Sequence, residues 1–241
     1  MLKYVGKKEF LKTELSTLYK YKNYMIKKSS KYYHPSQNET NILKMINNKN
    51  IIKLEDSYED LHNNYIVTKY YPYGDLHYNI QNNIININNH DLIINNLIDP
   101  ICYIHKKNIV HLDLKLDNYL VDYKKNNEKQ FILFDFNLAH IHNQSYHDLQ
   151  DIPYIMGTKK FMAPEILNHK FSKASDIYSL GHILYLIYTR SFYEGKIDEE
   201  QLKDTPDKIK EIIKSCLQKK SQDRPSIFDI KHFYYTDRHL K

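Results

Sequence analysis

Residues 110–121 read VHLDLKLDNYLV. Two aspartates, a lysine and an asparagine fall between Asp113 and Asn118, with apolar residues pressing in on both sides. An ionised carboxylate can accept a proton or hold a hard cation, and an amide oxygen is a second ligand of the same hard kind. A lysine beside them places positive charge where negative charge collects. Such a set calls for a rigid base, and the oily flanks are the material for one.

The bulk composition permits that base. The chain has 241 residues, of which 41% are hydrophobic and 27% charged, an ordinary globular balance. This length suits one large domain or one domain in two lobes. The net charge of +6 is spread along the chain rather than gathered into a basic stripe, so a nucleic-acid partner is not expected. The two cysteines, Cys102 and Cys216, make neither a disulfide framework nor a metal-site spacing. They fit a reducing, intracellular setting, cytoplasmic or nuclear. The start MLKYVGKKEF lacks the apolar run of a signal peptide, and no stretch has the ~18 consecutive apolar residues of a spanning helix. Membrane association is therefore not expected. Asn, Ile, Lys and Tyr are abundant and tryptophan is absent. NIQNNIININNHDLIINN (79–96) reads as AT-rich codon bias laid over a real fold.

The elements that must hold the knot can be outlined. Up to about residue 68 the chain is strand-rich, with YKNYMIKK and NNYIVTKYY as strands. Between them a helix is predicted from Pro35 to about Asn47, with Ile42, Leu43 and Ile46 on one face. YPYGD (71–75) is a turn and a plausible hinge. A helix marked by Ile93, Leu97, Ile101 and Ile104 leads into the knot, and Pro100 should kink it or shift its register. Residues 118–136 read as strand, polar turn, strand. A helix from about Ser175 to Arg190 is apolar nearly all round and should be central, and residues 207–219 are amphipathic.

Further motifs follow the knot in order. HLDLKLDN (111–118) is followed by DFN (135–137), GTKKFMAPE (157–165), DIYSLG (176–181) and DRPS (223–226). Together they resemble the eukaryotic-type protein kinase catalytic domain, serine/threonine type, over nearly the whole chain. The resemblance implies an α+β fold in two lobes: a small strand-rich lobe with one key helix (about 1–70), a hinge (about 69–74) and a larger, mainly helical lobe (about 75–241).

The resemblance also implies roles. Asp113 would orient the acceptor hydroxyl and take its proton, and Lys115 would sit near the transferred phosphoryl group. Asn118 and Asp135 would hold Mg²⁺ against the phosphates of ATP. Lys27, with Lys28 as the alternative, would clamp those phosphates and pair with Glu39. Val5 and Gly6 would open the phosphate-covering loop, with Lys8 and Leu11 where the family has its second and third glycines and Phe10 at the aromatic place. Met25 and Leu120 would line the adenine pocket, Thr68 would gate it, and Lys69 to Tyr71 would form its hinge edge. Glu165 and Arg224 would pair inside the large lobe. Asp176 would hold the catalytic-loop backbone, and Thr158 would bond near Asp113 and Lys115. His111, Phe136, Leu43 and Leu54 would stack as an apolar spine.

The departures from the family pattern matter too. Leu112 replaces the arginine that grips a phosphorylated activation segment, so activation by that route is not expected. Ser145, Tyr146 and Tyr154 read as ordinary polar loop residues. Asn137 replaces a glycine, tolerably, because asparagine accepts left-handed backbone. Asp75 and Asp117 stand where some members pair with arginines of the substrate, which suggests a protein or peptide partner of basic character. A monomer is expected. The alternative reading is a pseudokinase, a scaffold of the same fold with weak or no transfer, for which Lys8, Leu11, Met25 and Leu112 speak.

Overall fold

A computed structural model of the chain describes residue 6 and residues 8–13, 16–32 and 36–236. Among them, β1 (Lys8–Lys12), β2 (Ser16–Tyr21), β3 (Tyr24–Ser30), β4 (Leu54–Glu59) and β5 (Asn63–Lys69) form an antiparallel sheet in the order β1-β2-β3-β5-β4. The stretch read as one strand, YKNYMIKK, is instead the end of a hairpin: β2 stops at Tyr21, and Lys22 and Asn23 make the turn into β3. Lys22 takes φ 51° there, the left-handed geometry such tight turns require.

Alternation along β3 sorts its side chains. Met25 and Lys27 face the cleft beneath the sheet, whereas Ile26 is fully buried on the other face with Val67 and Tyr65, among Tyr19, Tyr21 and Tyr58. The helix α1 (Ser36–Met45) presents Ile42 and Leu43 to the core.

Beyond Tyr71 the chain is mainly helical. α2 (Leu76–Gln81) is capped by Asp75, whose Oδ1 accepts from the Tyr78 amide at 2.8 Å. α3 (His90–Lys106) runs as one helix through Pro100. The short β6 (Ile109–Val110) leads to the catalytic-loop motif. β7 (Tyr119–Tyr123) and β8 (Lys129–Leu133) form the expected hairpin. Then come β9 (His140–Ile141), β10 (Gln150–Asp151), β11 (Lys170–Phe171), α4 (Lys173–Thr189), α5 (Asp207–Cys216) and α6 (Ile227–Tyr235). β9 pairs with β6 and β10 with β11. Every residue of α4 from Lys173 to Ile187 is buried, which explains its apolar character on all sides. Gly181 is required there, since a Cβ would come within 2.8 Å of Cys216 Cβ on α5.

The asparagine-rich stretch carries structure. Asn79 donates to the carbonyls of Tyr73 and Asp75 (2.7 and 2.8 Å) and holds the hinge turn. Asn96 accepts from Asn50 Nδ2 and from the Phe131 amide (2.9 and 3.0 Å), joining α3 to β8. These two asparagines satisfy buried backbone groups, so codon bias is not their whole explanation.

His182 on α4 has no hydrogen-bond partner for either ring nitrogen. It lies among Phe161, Tyr178 and Tyr193, and burial pulls its pKa down to about 4. The unfolded chain, with an ordinary histidine near 6.5, takes up this proton first. The contribution of His182 is therefore complete above about pH 6.5 and is lost as pH falls, by roughly 3 kcal/mol at pH 4. We expect urea midpoints to fall along this acid limb, and His182→Phe to flatten it. An unchanged limb in the variant would assign the acid sensitivity to other groups.

Candidate active site

A cleft of about 920 Å³ lies between the sheet and the helical part. Its walls include Met25, Lys27, Glu39, Thr68, Lys69, Tyr71, Asn118, Leu120 and Asp135. The hinge turn closes one edge, where Pro72 and Gly74 also reach the cleft. Thr68, 8% exposed, stands across the strand pair from Met25, so a small hydroxyl and a flexible thioether share that wall.

Lys27 Nζ donates to Glu39 Oε2 at 3.0 Å and to Asp135 Oδ1 at 2.9 Å. It is Lys27, not Lys28, that turns inward. Burial alone would lower the Lys27 pKa, but the two carboxylates outweigh it and hold it above the ordinary lysine value. Burial likewise presses Asp135 towards neutrality, and the Lys27 ammonium reverses that and holds the carboxyl below its usual range. Lys27 is thus a permanent cation and Asp135 an anion at neutral pH. Asn38 donates to the Ala139 carbonyl at 2.7 Å and ties α1 to the chain just past Phe136. No sequence signal singled out Asn38, because its partner is a backbone oxygen.

Asp113 is held on both sides. Its Oδ1 accepts from the Thr158 amide and hydroxyl (2.8 and 2.7 Å), and its Oδ2 accepts from Lys115 Nζ and Asn118 Nδ2 (2.8 and 3.1 Å). Lys115 Nζ also donates to Thr158 Oγ1 at 2.7 Å. Gly157 makes this approach possible: at φ 104° a Cβ would sit 2.7 Å from the Leu112 carbonyl oxygen.

The loop that carries Asp113 hangs from α4. Asp176, fully buried, accepts from the amides of His111 and Leu112 at 2.8 and 2.9 Å. Leu112 is held at φ 64°, an uncommon conformation for a branched side chain, and is buried. The His111 and Phe136 rings lie 4.8 Å apart, and Phe136 belongs to one buried cluster with Leu43, against which Leu54 also packs. Asp135 itself takes the left-handed conformation, φ 63°. Asn137, which the sequence made the candidate for that geometry, does not have positive φ and lies in a 3-10 turn.

The loop at the sheet's edge corrects the sequence reading. Val5 lies outside the described residues. Gly6 sits in a turn ahead of β1 and is not part of the cleft wall. The β1–β2 register pairs Lys8 with Lys20 and Lys12 with Thr17, so the chain reverses at 13–16 rather than near Gly6. Lys8 stands at the exposed start of β1. Thr13 and Ser16 brace the reversal, Thr13 Oγ1 donating to the Ser16 carbonyl and accepting from its amide, each at 3.1 Å. Phe10, Leu11, Thr13, Ser16 and Leu18 all line the cleft. The sequence placed Phe10 and Leu11 in this loop but gave no sign of Thr13, Ser16 and Leu18, because hydroxyl side chains rather than glycines brace the turn.

The residues fit a hard cation held jointly with a phosphate. Asn118 Nδ2 is committed to the Asp113 carbonyl (2.8 Å) and carboxylate, which leaves its amide oxygen as the ligand atom. Asp135 adds one carboxylate from beside it, one residue past Phe134, whose amide donates to the Asn118 carbonyl at 3.0 Å. Among the described residues no group of three His, Cys, Asp or Glu side chains could cage a metal. One carboxylate plus one amide is the donor set expected for Mg²⁺ that completes its shell with substrate phosphate and water.

A strand-rich sheet beside a helical part, with a lysine–glutamate pair in the cleft wall and an aspartate–lysine–threonine cluster joined to that wall through Asn118, is the arrangement of the protein kinase class of fold. The family sequence pattern described as "Protein kinase domain" matches residues 12–236, and the chain belongs to that family. It is 30% identical over 211 residues to calcium-dependent protein kinase 4 of Plasmodium falciparum, covering 79% of this chain and 39% of that protein. It is 27% identical over 224 residues to human myosin light chain kinase family member 4, covering 85% and 56%. Human myosin light chain kinase 3 is 30% identical over 179 residues, 73% of this chain and 21% of that protein. The chain therefore spans between about a fifth and just over half of these relatives' lengths.

Proposed function

We propose that the chain transfers the γ-phosphoryl group of ATP to serine or threonine hydroxyls of proteins, with Mg²⁺. The observation that carries this reading is the single constellation around Asp113. A carboxylate of fixed orientation, an ammonium 2.8 Å away and a threonine bridging both are tied to the cleft through Asn118, which donates to that carboxylate at 3.1 Å and shares the cleft wall with Lys27 and Asp135. In the proposed reaction the acceptor oxygen forms a bond to the γ-phosphorus as the bond to the β-phosphate oxygen breaks. ADP leaves, and the hydroxyl proton passes to Asp113. Lys115 and Lys27 meet the negative charge of the phosphoryl group in flight. Mg²⁺, held by Asn118 and Asp135, would neutralise the phosphates.

Lys115, two residues after Asp113, and its bond to Thr158 support a serine/threonine acceptor. Asp75 and Asp117 line the mouth of the cleft and support a basic peptide, although Asp117 lies 3.2 Å from His77 Nδ1 and is partly spoken for. Every residue named lies in one chain, so a monomer suffices. Both cysteines are free thiols, which supports an intracellular setting, cytoplasmic or nuclear. Among the described residues no helix is long and apolar enough to cross a membrane.

The test is a thermal-shift titration with ATP and Mg²⁺, paired with labelled phosphate transfer to serine, threonine and tyrosine peptides with and without an upstream arginine. We expect a Mg²⁺-dependent shift, transfer to serine and threonine, and loss of both shift and transfer in Asp135→Ala. A nucleotide shift without transfer would establish the pseudokinase reading instead. Equal rates with and without arginine would end the basic-peptide assignment.

A further inference from the structure

Tyr146 lies in the segment between Asp135 and Glu165, where the sequence made it an ordinary loop residue. The structure gives it another place. Its hydroxyl accepts from the Ile227 amide at the start of α6 and lies against His105 Nδ1 on α3, each at 2.9 Å. Its ring meets the His105 ring edge-on, centroids 5.5 Å apart. His105 is 1% exposed, and its Nε2 lies 2.9 Å from Asp176 Oδ2. A carboxylate only accepts, so Nε2 carries the proton, and in the neutral ring Nδ1 is the acceptor for the tyrosine hydroxyl. Burial pushes the phenol well above 10, so this donor stays protonated.

The polarity of the chain is then continuous. The Ile227 amide donates to Tyr146, Tyr146 to His105, and His105 to Asp176. The same Asp176 carboxylate receives the amides of His111 and Leu112. One line of hydrogen bonds therefore joins the segment to the backbone immediately before Asp113. The position that would grip a segment phosphate by charge is Leu112, which carries no charge at all.

We propose that Tyr146 is a positioning residue for phosphoryl transfer: through His105 and Asp176 it holds the segment and the catalytic loop in register without a phosphate. The proposal rests on the kinase reading above. Other contacts also hold the segment, among them the His142 amide to the Asn108 carbonyl at 2.7 Å and His147 Nε2 to the Arg224 carbonyl at 2.8 Å. They do not end on Asp176. Tyr146 is the contact whose loss would be transmitted to Asp113.

The test compares wild type, Tyr146→Phe, His105→Phe and the double variant. Tyr146→Phe keeps the ring and removes only the hydroxyl. We expect kcat to fall about ten- to a hundredfold, as for a small misplacement of a reacting group, with KM for ATP within about twofold of wild type. The effects of Tyr146→Phe and His105→Phe should not multiply, because both break one line. Amide exchange at His111 and Leu112 should quicken in Tyr146→Phe, and wild-type activity should survive phosphatase treatment. Unchanged kcat, kcat and ATP affinity falling in parallel, independent effects of the two variants, or loss of wild-type activity on dephosphorylation would each overturn the proposal. If the wild type transfers no phosphate, the kinase reading fails; exchange at His111 and Leu112 still decides whether the relay exists.

Discussion

Asp113→Asn lowers phosphoryl transfer by about 10²–10⁴-fold while ATP still binds: this is the largest catalytic effect we expect. The magnitude is that of removing a positioned general base. The argument is local. Both Asp113 oxygens are fixed acceptors, one facing Thr158 and the other facing Lys115 and Asn118. An asparagine has the same shape but only one acceptor, so its amide group must face a donor on one side. The proton sink is lost, and the threonine–lysine frame is disturbed on that side only. Lys27, Met25 and Thr68, on the opposite wall, are untouched, so the nucleotide-dependent thermal shift should match wild type. Labelled transfer to a serine peptide is the measurement. Retention of more than about a tenth of the wild-type rate would remove Asp113 from the role of base.

The largest stability effect is expected at Arg224. Its guanidinium is fully buried and uses all five donors. Two go to the Glu165 carboxylate (2.7 and 2.8 Å), and three go to the carbonyls of Ala174, Gln218 and Lys219. The Tyr178 ring lies 4.8 Å beneath it. Arg224→Ala leaves the Glu165 carboxylate inside the fold, with Ser175 Oγ as its remaining donor. It also removes the guanidinium donor from the carbonyls of Ala174, Gln218 and Lys219. A cost of about 3–5 kcal/mol is typical when one member of a buried pair is removed. Urea unfolding should show this as a lower midpoint. The double variant Arg224→Met with Glu165→Leu should recover part of the loss, because no buried charge remains. A single-variant cost below about 1 kcal/mol would mean the pair is solvated on the timescale of unfolding. Lysine cannot replace this arginine, since it lacks the planar fork.

What could be read from the sequence, and what could not, divides along one physical line. The knot at 111–118 was legible because its groups are neighbours in the chain. Lys115 and Asn118 both donate directly to Asp113 in the fold. The Lys27–Glu39 pair followed from the resemblance to the kinase family, and strand alternation then sets Lys27 rather than Lys28 on the inward face of β3. The apolar α4 announced its central burial by having no polar face.

Position in the sheet was another matter. Thr13 and Ser16 reach the cleft because β1 pairs with β2 in a particular register. A register is chosen by cross-strand contacts, which no local pattern reports. Gly6 looked right by spacing and proved to lie outside the cleft. Tyr146 was misread for the same reason: its partners are 41 and 81 residues away.

The sequence by itself brought the groups at 113–118 together, because they are neighbours in the chain, and its ordered motifs carried the resemblance to the kinase family. Only the tertiary structure decided which backbone covers the cleft and which tyrosine holds the catalytic loop. Those depend on hydrogen bonds between strands and helices that meet only once the core has formed.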